Sequence, residues 1–212
     1  MTNTNPAESA ILPLIEGYKQ FRIKYFENTR TFDDLVKYGQ KPKAMIVACC
    51  DSRVDPAIVT NCSPGELFVI RNVANLVPPF NGCSKHHGTS AALEFGVLDL
   101  EVSDIILFGH SHCSGIRALM EAQENNEHSS NFIEAWMDIA KPAKQQVLKQ
   151  YPQHSLDEQS HYCEKESLLI SLDNLKTFPW INKRILANEL FLHAWYFNLG
   201  TGIIETYNSS SG

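Results

Sequence analysis

Two short runs, Ala44 to Cys49 and Ile105 to Phe108, are apolar at every position. A strand with one wet face alternates apolar and polar residues. An unbroken apolar run therefore belongs to a strand covered on both faces, as parallel sheets require. Helix-like stretches separate such runs, and parallel neighbours need crossovers of that kind. The patterning predicts strands at 44–49, 66–72, 104–109 and 189–197, with helices over 89–100, 114–122, 130–150 and 160–178. Pro64-Gly65 marks the turn into the second strand. Gly200 to Gly202 turns the chain into Ile203 to Tyr207, read as an antiparallel edge strand. The expected fold is α/β: a mostly parallel central sheet flanked by helices, with that edge strand at its C-terminal end.

Ahead of the first strand, residues 8–38 read as helical, with Ile11, Leu14, Ile15, Tyr18, Phe21, Ile23, Tyr25 and Phe26 at mixed three- and four-residue spacing. Packing on its own domain and packing on a partner subunit suit this arm equally. The reading is one domain over 1–212, with a helical arm at 1–40 and an α/β core at 41–207. Residues 121–131 read as an exposed polar loop, and Asn208 to Gly212 as a frayed tail.

A net charge of −6 argues against nucleic acid as a partner, because phosphate binding needs a basic face. The apolar runs are too short to span a bilayer. Met1 to Ala10 is polar and has no secretory pattern, so a cytoplasmic setting is expected. There the six cysteines, Cys49, Cys50, Cys62, Cys83, Cys113 and Cys163, read as thiols or metal ligands rather than a disulfide framework.

Ligands in open α/β sheets bind beyond the carboxyl ends of the strands. Cys49-Cys50-Asp51-Ser52-Arg53 follows the first strand, and His110-Ser111-His112-Cys113 follows the third. Zinc favours thiolate and imidazole in a tetrahedral shell, and three protein ligands with one open corner mark a catalytic site. Cys49, His110 and Cys113 supply such a set. Cys50 points away from Cys49 because strand side chains alternate. His112 diverges from its neighbour Cys113, which leaves His110 as the ligand. Each piece alone has a plainer reading: a small buried cysteine, a core histidine, a helix-capping Asp-Arg pair. Their meeting at one sheet edge is what points to metal chemistry.

Cys-x-Asp-Ser-Arg followed by His-x-x-Cys resembles the signature of the β-class carbonic anhydrases, and the chain is similar to their plant-like, open-site subgroup. Pro64-Gly65-Glu66, Phe68 to Asn75, Glu94 to Val97, Gly109 to Ser111 and His193 to Tyr196 extend the likeness over about residues 40 to 205. The resemblance implies reversible hydration of carbon dioxide to bicarbonate and a proton, with water activated on one Zn2+ per subunit. It implies Cys49, His110 and Cys113 as zinc ligands, and Asp51 and Arg53 as the paired acid and base beside the metal. Gln40 matches a substrate-binding glutamine, and Phe68 and Val73 match apolar pocket positions. It also implies a homodimer or dimer of dimers, with pocket residues from both subunits.

Four positions depart from the family pattern. Ser114 replaces the first of two glycines but keeps the backbone N–H, and Phe95 stands where the plant-like pocket often has tyrosine. Ile46 and Phe197 replace the tryptophan and tyrosine of a bicarbonate-inhibited subgroup, leaving Arg71 alone of that inhibitory site. Two alternatives share the ligands: a zinc hydrolase acting on carbonyl sulfide or carbon disulfide, and a non-enzymatic domain with structural zinc. The second predicts a fourth protein ligand, from Cys50 or His112.

Overall fold

The computed structural model describes residues 6–82, 87–122 and 131–207. Most of the expected polar loop (123–130), the tail (208–212), Cys83 and His86 lie outside them. The chain forms two compact units that divide between Lys41 and Pro42.

In the first unit, the expected single helix is broken. Helix α1, Pro6–Arg22, runs into a π-helical turn at Ile23–Glu27, and α2 spans Thr31–Tyr38. The break falls where Asn28 N–H bonds back to the Ile23 carbonyl at 3.0 Å and ends the turn. On α1, Ile11, Leu14, Ile15 and Tyr18 recur at helical spacing, and all four are exposed.

The second unit is built on five strands: β1 (Ala44–Cys49), β2 (Leu67–Asn72), β3 (Asp104–His110), β4 (Phe191–Phe197) and β5 (Ile204–Tyr207). Their order is β2-β1-β3-β4-β5. The first four are parallel and β5 pairs antiparallel with β4, as the patterning predicts. From β1 the chain crosses to β2 on one side, and from β3 to β4 on the other. The topological switch, where a crevice opens at the carboxyl ends, lies between β1 and β3.

The helices differ from expectation mainly at their ends. Residues 89–100 form α4 (Gly88–Glu94) and a π-helical turn, Phe95–Asp99. Helix α5 is Ser114–Glu121. The stretch 130–150 splits into α6 (Asn131–Met137), a 3-10 turn and α7 (Lys141–Gln150), because Pro142 cannot donate into a continuous helix but suits a first turn. Helix α8 starts early, at Leu156, on a capping box in which Ser155 and Glu158 satisfy each other's backbone N–H, and it runs to Lys176. Two short helices went unread: α3 (Pro56–Thr60), capped by Asp55, and α9 (Pro179–Leu186).

Alternation along β1 divides the core. Met45 and Val47 face α8 and α9, meeting Leu168, Leu172, Leu175 and Ile181. Ile46 and Ala48 face the other side with Val54, Ile106 and Phe108. Cys49 joins a third cluster with Cys113 and Ile116, Leu119 and Met120 of α5. Among the described residues, no helix is long and apolar enough to cross a membrane.

Candidate metal centre

The two strands at the switch deliver two of the three expected ligands. Cys49 is the last residue of β1 and His110 the last of β3. After β3 the chain turns through His112, whose φ of 57° is left-handed, and reaches Cys113, the N-cap of α5. Cys49, His110 and Cys113 are all buried, and their ligand atoms lie within 4.8 Å of one another. The two sulfurs are 4.0 Å apart. Two sulfurs on one tetrahedral zinc, each at about 2.3 Å, sit about 3.8 Å apart, so the spacing fits that ion closely.

The imidazole is oriented for the same task. His110 Nδ1 donates to the Ser111 carbonyl at 2.9 Å, which leaves Nε2 as a lone-pair acceptor. Nε2 is buried and has no hydrogen-bond partner, a costly arrangement unless a cation completes it. Without a cation the sulfurs lean on each other. The two sulfurs are within hydrogen-bond reach of each other, so one thiol can donate to its neighbour. Backbone N–H groups of Gly115 and Ile116, at the start of α5, point at the Cys113 sulfur and favour its thiolate.

Asp51 and Arg53 flank this group. Arg53 Nε donates to Asp51 Oδ1 at 2.9 Å and Nη2 to Oδ2 at 2.6 Å, while the Arg53 backbone N–H adds a third bond to Oδ1 at 2.9 Å. The guanidinium holds the Asp51 carboxyl well below the usual carboxylate range. Asp51 Oδ2 lies 4.0 Å from His110 Nε2, on the metal-facing side. Cys50 and His112, the two possible fourth ligands, are both exposed and stand outside the ligand group.

Residues 44–204 match the sequence model of the carbonic anhydrase family. "Beta carbonic anhydrase 3" of Arabidopsis thaliana is 34% identical over 199 residues, covering 93% of this chain and 77% of that protein. The chain belongs to the β-class carbonic anhydrases. "Beta carbonic anhydrase 6, mitochondrial", also of Arabidopsis thaliana, is 42% identical over 191 residues. That match covers 90% of this chain and 64% of the relative, so the chain spans slightly under two thirds of its length. Among solved structures, the β-carbonic anhydrase CcaA superposes with a TM-score of 0.87 at 32% identity, covering 94% of this chain and 88% of that one.

The other residues read as β-class positions fall into three groups. Val73 packs on the cluster that contains Cys49 and Cys113, and Ser114 is exposed at the first position of α5. Phe68 and Phe95 lie together, ring centroids 5.9 Å apart. Phe68, however, pairs in register with Met45, whereas Cys49 pairs with Asn72. Four residues of strand put Phe68 about 13 Å from the ligand end of β1. Gln40 is exposed and belongs to the first unit.

Sequence reading gave no role to three residues that shape the centre. Arg71 is bound within the 49–55 turn: its guanidinium donates to the carbonyls of Cys49 and Asp51 at 2.9 and 2.7 Å and to Asp55 Oδ2 at 3.0 Å. Glu164, on α8, accepts the Cys113 N–H at 2.9 Å. Tyr196, on β4, donates its O–H to Glu164 at 2.6 Å. A signal for Glu164 was present. Ser160, Cys163, Ser167, Leu168, Ser171, Leu172 and Leu175 form the buried stripe of α8, and Glu164 is a carboxylate in the middle of it.

Proposed function

We propose that this chain hydrates carbon dioxide reversibly to bicarbonate and a proton at one zinc ion held by Cys49, His110 and Cys113. The observation that carries the reading is the buried, unpartnered Nε2 of His110, set beside two convergent sulfurs with no fourth ligand among the described residues. When bound there, zinc lowers the pKa of a coordinated water from 15.7 to about 7 and so supplies a nucleophile at neutral pH.

The protein's own part follows from hydrogen-bond capacity. A carboxylate accepts at about four lone-pair positions. Arg53 takes two on Oδ1 and one on Oδ2 of Asp51, leaving one acceptor position on Oδ2 beside the ligand group. Asp51, kept ionised, accepts a hydrogen bond from a water there and cannot donate one, so the water turns a lone pair toward the substrate carbon. The same clamp keeps Asp51 from swinging in as a fourth ligand, which is the open form. Gln40 donates its amide to a substrate oxygen as charge develops. Val73, Phe68 and Phe95 provide an apolar wall for a nonpolar gas, and Ser114 offers its backbone N–H.

The register of β2 supports a homodimer, or a dimer of dimers. Phe68 and Phe95 lie too far from the Cys49 of their own chain to wall its pocket, so a second copy supplies them. The exposed apolar stripe on α1 is the surface suited to pairing. Cys49, Cys50, Cys62, Cys113 and Cys163 are free, which suits a reducing compartment and the cytoplasm as location.

The test compares Cys49→Ala with wild type for zinc content and for carbon dioxide hydration. Loss of both is expected, and retained hydration rules the site out.

A further inference from the structure

Glu164 is a carboxylate only 5% exposed, which the hydration chemistry does not use. It lies in a directed chain of donors. The Cys113 N–H and the Tyr196 O–H both end on it, from opposite sides, and an ionised carboxylate only accepts. Tyr196 is fully buried on β4, where it pairs with Gly109, the residue before His110. Its hydroxyl, having spent its proton on Glu164, accepts from His161 Nδ1 at 3.0 Å, and the His161 side chain reaches solvent.

The bond to Cys113 acts on a particular peptide group. The carbonyl of His112 accepts from Arg53 Nη2 at 3.0 Å, and the N–H of the next residue, Cys113, donates to Glu164. Both ends of the His112–Cys113 peptide are therefore held, the carbonyl by Arg53 and the N–H by Glu164. This peptide needs holding. His112 sits at φ 57°, a region that costs a residue with a Cβ about 1 kcal/mol or more, so the turn persists only where its surroundings determine it. Rotating this peptide would redirect the Cα–Cβ bond of Cys113 and with it the ligand sulfur.

We infer that Glu164 is a positioning residue of the metal centre: braced by Tyr196 and His161, it works with Arg53 to fix the His112–Cys113 peptide and so aims the Cys113 sulfur at the ion. This rests on the reading of Cys49, His110 and Cys113 as zinc ligands. Partners that orient a ligand from behind typically contribute tenfold to a hundredfold in metal affinity.

The experiment uses the zinc-loaded full chain. It follows zinc release to an excess of chelator, and the thiolate-to-metal charge-transfer band after cobalt replacement, in wild type, Glu164→Ala, Glu164→Gln and Tyr196→Phe. Glu164→Ala is expected to release zinc about tenfold to a hundredfold faster and to shift the cobalt band. Glu164→Gln keeps an acceptor for the Cys113 N–H and is expected to restore most of the retention. A merely structural role would lower the unfolding midpoint of zinc-free and zinc-loaded protein alike while leaving release and the cobalt band at wild-type values, and that result overturns the inference. Should Glu164→Ala not fold, Tyr196→Phe decides: faster release supports the brace and unchanged release overturns it. A wild-type protein that holds no zinc fails the metal reading itself, a result distinct from zinc held by wild type and lost no faster from the variants.

Discussion

The Nδ1–H of His110 is committed to the carbonyl oxygen of its neighbour Ser111, at 2.9 Å, and this fixes which imidazole nitrogen faces Cys49 and Cys113. The free Nε2 is a buried acceptor without a donor, which costs about 1–3 kcal/mol in the metal-free protein. Zinc should therefore stabilise the fold through mass action, and the effect should depend on His110. Adding zinc to metal-free wild type is expected to raise the melting temperature. In His110→Ala the rise should disappear, measured by calorimetry at matched zinc concentration. An equal rise in both proteins would place the ion elsewhere.

The strands and the meeting of Cys49, His110 and Cys113 were legible in the sequence for one shared reason. A run that is apolar on both faces can only be a covered strand, and the residues that end such runs gather at one sheet edge whatever the rest of the chain does. Cys49 and His110 were found that way. Helix starts were written as well but left unread: Pro56 and Pro179 open α3 and α9, and Ser155 with Glu158 opens α8. Register was not legible. Nothing in the residue order says that Phe68 pairs with Met45 rather than with Cys49, yet that pairing separates the phenyl wall from the ligands of its own chain. The role of Glu164 was hidden because it depends on a contact 51 residues away.

Arg53 carries two duties, and they predict a distinctive defect. Arg53→Ala frees Asp51 and releases the His112 carbonyl, one of the two holds on the His112–Cys113 peptide. Hydration per bound zinc is expected to fall about a hundredfold, in the range for losing one oriented polar partner, and zinc release should quicken because one of the two holds on the His112–Cys113 peptide is gone. Arg53→Lys should recover little, because a single ammonium cannot reproduce the two-pronged contact. Steady-state hydration kinetics with parallel metal analysis checks both. Wild-type turnover in Arg53→Ala would remove the pair from the mechanism.

Burial pushes the Cys163 thiol up to about 12 from its ordinary value of 9.0. The sign of the effect on stability follows. Below pH 9 the thiol is protonated in both folded and unfolded chains and favours neither. Above pH 9 the unfolded chain ionises and the folded chain does not, so stability falls as pH rises from 9 toward 12. Cys163→Ala lacks this term and pays only a roughly constant cavity cost of about 1 kcal/mol. Denaturant titrations should show wild type ahead at pH 8 and behind by pH 11, because about two pH units of linkage outweigh a lead of about 1 kcal/mol. A constant difference across that range would show that Cys163 ionises in the folded chain as readily as in the unfolded one.

At Gly109, β3 packs closely against Leu168 of α8. A methyl group there would stand 2.9 Å from Leu168 Cδ1 and 3.1 Å from its Cγ and Cδ2, and Leu168 is fully buried. Gly109→Ala is expected to cost about 1–3 kcal/mol through overpacking, read as a lower denaturation midpoint at unchanged slope. Adding Leu168→Ala should return part of the loss, since the two changes share one space. Simple additivity of the two costs would contradict the close approach.

The last expectation concerns assembly. On α1, Ile11, Leu14, Ile15 and Tyr18 lie at i, i+3, i+4 and i+7 and form an apolar stripe, with Leu14 71% exposed. A stripe of that spacing on a surface helix is ordinarily covered. The double variant Ile11→Glu/Leu14→Glu places two like charges on it and should drive the assembly toward single chains of 23.9 kDa, measured by light scattering. Phe68 sits about 13 Å along β2 from the strand end beside Cys49, so on the proposed reading of a shared pocket a lone chain would lack its phenyl wall. The separated variant should then retain zinc on its own Cys49, His110 and Cys113 but lose most of its hydration rate. Full activity in a single-chain species would show that one copy completes its own pocket, and the second-copy wall would have to be abandoned.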